Sequence, residues 1–167
     1  HVCVMQNAKD ECIPFGTIPT YSATGTEWNN QFNIERRSIQ WKSTINSFQS
    51  TYPRFSIIDP RYSMTLPNQA IESAIIIAFA NALNAYLAST SYTMLDDFLL
   101  STMKEIIQIS SHLIQNDSSF EIRERLITAS LFANNHILTL GQKPQLSLQN
   151  IAQPISVRYR IGYSQAL

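Results

Sequence analysis

At Pro67 the chain changes its hydrophobic rhythm. Downstream, Ile71, Ala74, Ile75, Ala78, Phe79, Ala82, Leu83 and Tyr86 follow i, i+3, i+4, i+7 spacing, which predicts an amphipathic helix with one apolar stripe. Upstream, β-branched and aromatic runs are punctuated by Pro and Gly. Ile13 to Tyr21 carries Pro14, Gly16 and Pro19, and Phe55 to Ile58 is stopped by Asp59-Pro60. The residue before a proline is pushed away from helical backbone, so both runs read as short strands entering loops. Residues 30–48 alternate imperfectly and predict a β-hairpin around Glu35-Arg36-Arg37.

Two further helices are predicted. Leu95 to Leu113 carries Phe98, Leu99, Met103, Ile106 and Ile107 on its stripe, and Phe120 to Leu138 follows an Asn116-Asp117-Ser118-Ser119 loop that offers an N-cap. Gly141 to Pro144 ends the third helix. Residues 145–167 predict a fourth, interrupted at Pro154. Strands first and helices after give an α+β class with the two kinds of element segregated.

Charge is scarce. Charged residues make up 14% of the 167-residue chain, against about 25% in a typical domain, and Asn, Gln, Ser and Thr take their place. Twelve basic and twelve acidic side chains cancel, which argues against nucleic-acid binding through a broad basic patch. No apolar run approaches the roughly 20 residues of a membrane span; Ala74 to Leu83 is broken by Asn81 and reads as a buried helix. Cys3 and Cys12 read as two thiols of an intracellular protein rather than a disulfide. The chain begins at His1 with no signal-like segment, which suggests a fragment or a processed product.

Several motifs together resemble one family. Ile13-Pro14-Phe15-Gly16, then Ala23-Thr24-Gly25-Thr26-Glu27, then Asp59-Pro60 and Thr65-Leu66-Pro67 before the first long helix, are similar to the domain junction of iron-containing (group III) alcohol dehydrogenases. The NADP-dependent butanol dehydrogenase type is the nearest resemblance. Arg123, Ala129, Asn135 and Gly141 keep the same family's spacing. The resemblance implies a dehydroquinate synthase-like architecture. Residues 1–62 would be the end of a dinucleotide-binding α/β domain and residues 63–167 an all-helical domain.

It also implies site residues. Thr24, Gly25 and Thr26 align with a turn that contacts the nicotinamide cofactor, and Lys42 with a lysine near its ribose. The family's four metal-ligand positions fall on Ile77, Asn81, Gln149 and Tyr163, with Asn84 and Gln153 at two further polar positions of its pocket. Ile77 has no lone pair. Amide oxygens of Asn81 and Gln149 are poor ligands for a metal that favours imidazole and carboxylate. Tyr163 would have to ionise from about 10 to ligate well. His112 and His136 read as ordinary helix-surface or satisfied histidines.

The sequence reading is therefore a catalytically inactive, alcohol-dehydrogenase-like protein, leaning away from an enzyme, with neither metal nor cofactor expected. It would act as a cytoplasmic scaffold or interaction subunit whose partners are other protein subunits; a bacterial secretion or effector-handling complex, peripheral to a membrane, would suit it. Two alternatives stand beside it: a nicotinamide-dinucleotide-binding sensor that retains NADP contacts through Thr24, Gly25, Thr26 and Lys42, and a divergent NADP-dependent alcohol/aldehyde oxidoreductase.

Overall fold

A computed structural model of the protein describes residues 13–39, 41–46, 51–87, 92–115, 119–135 and 148–167. Cys3, Cys12, His136 and the Gly141–Pro144 break lie outside them. The strands come first, as the sequence predicts, but are shorter. β1 (Gly16–Thr17) and β4 (Phe55–Ser56) pair in parallel, Gly16 opposite Phe55 and Thr17 opposite Ser56. Two flanking bonds extend the ladder, Arg54 N–H to the Phe15 carbonyl at 2.8 Å and Ile57 N–H to the Thr17 carbonyl at 2.9 Å. Between them, β2 (Gln31–Arg36) and β3 (Trp41–Asn46) form an antiparallel hairpin. Its turn comes later than predicted, through a 3₁₀ segment at Arg37–Ile39, because Glu35 and Arg36 are paired within the ladder opposite Lys42 and Trp41.

Asp59-Pro60 ends β4's extension and opens a 3₁₀ turn, Pro60–Ser63. The Asp59 carboxylate accepts from Arg61 N–H at 3.0 Å and from the Arg61 guanidinium at 2.6–2.9 Å. That contact holds the Asp59 carboxyl below the usual carboxylate range. Proline at the first position suits the turn, since its missing N–H needs no partner there.

The helices α1 (Asn68–Tyr86), α2 (Thr93–Ile114) and α3 (Phe120–Ala133) pack against one another in all three pairings. On α1 the buried stripe is Ile71, Ala74, Ile75, Ala78, Ala82 and Ala85, while Phe79 and Leu83 are half-buried. Ala74, Ala78 and Ala82 are fully buried, and their small side chains let the neighbouring helices approach closely. Ile71, Leu99, Ile106, Ile109 and Leu126 fill the centre. Phe98 and Phe132 meet edge to face at 5.0 Å, and Arg125 Nε reaches Glu105 Oε1 across α2 and α3 at 2.6 Å. No described helix is long and apolar enough to cross a membrane.

The C-terminal helices depart from the sequence reading. Helix α3 ends at Ala133 rather than Leu138, with Asn134 as its cap. Ser119 stands at its N-terminal cap, yet it is the Ser119 carbonyl that bonds Arg123 N–H. Helix α4 (Leu148–Tyr159) runs straight through Pro154. A proline inside a helix forfeits one backbone bond, and here packing outweighs that loss: Ala152 is fully buried and Ser156 nearly so. The break falls instead at Arg160, whose φ of 55° is left-handed, with Ile161 N–H returning to the Ser156 carbonyl at 3.2 Å. The short α5 (Tyr163–Ala166) follows and packs against α1, while α4 lies beside β3.

Candidate functional site

The turn at residues 22–29 is strained and anchored. Ala23 and Gly25 both have φ of 68°, a left-handed conformation that disfavours any residue with a Cβ by about 1–2 kcal/mol. Glycine meets this demand at position 25; Ala23 does not, and its methyl is buried. Strain of this kind persists only where the surroundings over-determine it, and it collects at binding and catalytic sites. The Gly25 carbonyl accepts from both Trp28 N–H and Asn29 N–H at 3.0 Å. Thr24 and Thr26 are exposed, and their hydroxyls stand 3.1 Å apart. The turn thus buries Ala23, Gly25 and Glu27, while the exposed Thr24 and Thr26 bond each other and Thr26 also bonds the Glu27 carboxylate. Lys42, the other expected cofactor contact, lies on β3 opposite Glu35; its side chain is outside the described set.

The inward side of this turn meets the helices at Asn134. A Cβ on Gly25 would lie 3.3 Å from the Asn134 Cβ, so the glycine also permits close approach. Asn134 is in turn held on both sides: its Nδ2 donates to the Ser130 carbonyl at 2.8 Å, and its Oδ1 accepts from Asn81 Nδ2 at 2.6 Å. Sequence reasoning missed Asn134. Its only cue was the pair Asn134-Asn135 at a helix end, which reads as a stop signal.

Ser73, Ile77, Asn81 and Asn84 are spaced along one face of α1. Each polar member has a partner from a different segment. Ser164 Oγ donates to Ser73 Oγ at 2.9 Å, Asn81 bonds Asn134, and Asn84 Oδ1 accepts from Leu148 N–H at 3.2 Å at the start of α4. Ser73 is also hydrogen-bonded to the Tyr21 hydroxyl. This face of α1 therefore meets α5 through Ser73 and the first residue of α4 through Asn84.

The chemistry at these positions does not fit the family's metal. Ile77 is half-buried hydrocarbon packed against the core. Asn81 donates its Nδ2 to Asn134 and offers an ion only a neutral amide oxygen, a poor ligand for a metal that favours imidazole and carboxylate. Burial pushes the Tyr163 hydroxyl above its ordinary value, away from the phenolate that a metal would need. Among the described residues, no group of three or more His, Cys, Asp or Glu side chains gathers to hold an ion. His112 lies half-buried in the last turn of α2.

Behind the turn, Tyr21, Glu27 and Ser130 line a cavity of about 10 Å³, roughly the size that admits one water. Ser130 Oγ is buried without a partner among the described residues. Glu27 is 8% exposed, and burial raises its carboxyl above the normal range. The Ser56 hydroxyl donates to the Glu27 carbonyl at 3.1 Å, tying the turn to β4.

No protein-family model matches the chain. Individual relatives do. It is 26% identical over 162 residues to a probable NADH-dependent butanol dehydrogenase of Bacillus subtilis, a match covering 94% of this chain and 41% of that protein. It is 22% identical over 156 residues to the NADPH-dependent aldehyde reductase YqhD of Escherichia coli, covering 93% and 40%. Among solved structures, NADH-dependent butanol dehydrogenase A of Thermotoga maritima superimposes with a TM-score of 0.87 at 24% identity, over 97% of this chain and 41% of that one. E. coli YqhD gives 0.88 at 20% identity, over 98% and 42%. The chain thus spans about two fifths of the length of the curated relatives it matches. The homologues and structural neighbours of the chain are thus iron-containing (group III) alcohol dehydrogenases such as the butanol dehydrogenases and YqhD.

Proposed function

We propose that this chain forms the substrate-side part of a divergent nicotinamide-dinucleotide-dependent alcohol/aldehyde oxidoreductase, working without a metal at the four aligned positions. The observation that carries this reading is the Ala23–Glu27 turn. Its backbone is strained and wedged against Asn134, with Thr24 and Thr26 exposed and their hydroxyls bonded to each other. Left-handed strain of this kind collects at binding and catalytic sites, which supports the reading. The names of the relatives, NADH-dependent butanol dehydrogenase and NADPH-dependent aldehyde reductase, support the same substrate and cofactor class. Bound, the dinucleotide supplies the hydride; Thr24 and Thr26 would orient it, and Lys42 would approach its ribose. Titration of NADH and NADPH into the full chain, followed by fluorescence, tests the reading together with aldehyde-dependent cofactor oxidation. Absence of saturable binding below millimolar concentration would sink it.

A second reading is favoured by one specific observation. Ile77, the neutral amide oxygen of Asn81 and the neutral Tyr163 supply no strong ligand where the family resemblance would put the metal. On that reading the chain is a catalytically silent relative, kept for its shape as a subunit that meets other proteins. It predicts dinucleotide binding without turnover, or neither. Stoichiometric iron or zinc in the purified protein would refute the metal-free premise of both readings.

A further inference from the structure

We propose that the cavity behind the Ala23–Glu27 turn is the binding site of one structural water, held by the Ser130 hydroxyl and the Glu27 carboxyl, which fastens the turn to α3. The size of the cavity sets the first limit. At about 10 Å³ it matches a single water and is too small for an organic ligand. A buried water also needs roughly two to four polar partners. Ile58, Ile127 and Leu131 supply apolar wall, while Tyr21, Glu27 and Ser130 bring polar groups from the turn, its approach and the helix.

Ser130 is the decisive group. A hydroxyl side chain inside a helix can bond back to the carbonyl three or four residues earlier. The helices of this chain do so repeatedly. Thr102 donates to the Phe98 carbonyl at 2.9 Å, Thr128 to the Glu124 carbonyl at 2.9 Å, and Ser110 to the Ile107 carbonyl at 2.7 Å. Ser130 does not. It is 2% exposed, and its Oγ has no partner among the described residues. The large majority of buried side-chain polar atoms are satisfied by protein or by ordered water. A buried hydroxyl that gives up the back-bond therefore needs an acceptor elsewhere, and the cavity lined by Ser130 is where one fits.

Glu27 presents the second polar wall. It is 8% exposed, and its carboxyl is bonded by the Thr26 hydroxyl and by its own N–H. Two carboxylate oxygens have about four acceptor sites, so room is left for a third donor. Among the described residues, no Lys, Arg or His lines the cavity, and no cation competes for that place. A water here accepts the Ser130 proton and donates to the Glu27 carboxyl, which satisfies both groups at once.

The bridge has a mechanical consequence. Ser130 and Asn134 lie one turn apart on the same face of α3. Asn134 receives the turn by close approach at Gly25, and Ser130 receives it through the water at Glu27. The turn is thus docked at two points, one dry and one wet. This site stands whether or not the chain binds a dinucleotide.

A crystal structure of the full chain tests the proposal directly. One density peak is expected at about 2.7–3.2 Å from both Ser130 Oγ and a Glu27 carboxyl oxygen. An empty cavity would overturn the proposal. So would a peak at about 2.3–2.6 Å from several oxygens, which marks a hard cation instead of water. In solution, oxygen-17 relaxation dispersion of water reads long-lived internal waters and is blind to hydroxyl protons. Ser130→Val, whose added methyl group fills the cavity, is expected to lower the dispersion amplitude by one water while circular dichroism shows an intact fold. An unchanged amplitude in the folded variant would refute the site. Should Ser130→Val fail to fold, Ser130→Ala takes its place: the water loses its helix partner and the amplitude should still fall, whereas wild-type amplitude would refute the role of the hydroxyl.

Discussion

Replacing Gly25 with alanine isolates the strain on which the functional turn is built. Two contributions can be worked from the structure. The backbone at φ 68° disfavours a Cβ by about 1–2 kcal/mol. The new methyl would also lie 2.6 Å from Asn29 Nδ2 and 3.3 Å from Asn134 Cβ. The Asn29 amide can swing aside, but Asn134 is fixed by its bonds to Asn81 and to the Ser130 carbonyl. Loosening one of those bonds adds about 1 kcal/mol. Against this, alanine stiffens the unfolded chain by about 0.4–1 kcal/mol, leaving a net loss of roughly 1–3 kcal/mol. Ala23→Gly is the control at the same φ. It relieves a similar strain, about 1–2 kcal/mol, but loosens the unfolded chain and removes a buried methyl worth about 0.8 kcal/mol. Its net effect should lie within about 1 kcal/mol of zero. Urea unfolding followed by far-UV circular dichroism, compared at equal m, reads both. A Gly25→Ala protein as stable as the wild type would refute the assignment of strain to this turn.

Other outcomes follow from the core and its buried polar groups. Leu99→Ala, at a fully buried position between the packed helices, should destabilise by about 2–5 kcal/mol in the same assay. Arg123 is 2% exposed, and its Nε and Nη1 find no partner among the described residues. Arg123→Met should therefore raise stability by about 1 kcal/mol or more, and a lowered melting temperature would contradict this. Glu27 keeps its proton to higher pH in the folded chain than in the unfolded one. Its contribution is complete below the unfolded value of 4.5 and is lost as pH rises through the raised folded value. Glu27→Gln should consequently gain on the wild type as pH rises above about 4.5, measured by urea unfolding across a pH series. A gap that stays constant with pH would contradict the raised carboxyl.

The helical half was legible because its signal is periodic. Ile71, Ala74, Ile75, Ala78 and Ala82 were all placed on the buried stripe by spacing alone, and Leu99, Met103 and Ile106 likewise on α2. Ends were less legible, since they depend on contacts rather than rhythm. Pro154 carries a strong local signal to stop, yet Ala152 and Ser156 hold α4 through it, and the left-handed Arg160 makes the break instead. Of the candidate site, only the turn carries a sequence signal. The Ala23–Glu27 turn has a recognisable sequence, but nothing in the chain's order announces that Asn134 joins it to Asn81, or that Tyr21, Ser73 and Ser164 meet. Those are contacts across 53 and 91 residues of sequence, made by side chains whose types are common anywhere.

The amide pair Asn81–Asn134 also bears on what position 81 can become. The family resemblance drawn from the sequence would put a metal histidine there, and a substitution that removes the Asn81 amide would take away the donor that Asn134 Oδ1 accepts from at 2.6 Å. Stranding that half-buried amide costs about 1–3 kcal/mol, and Ile77 one turn earlier would still offer nothing to an ion. Building a metal site here one residue at a time would therefore begin with a loss of stability and no gain in ligands.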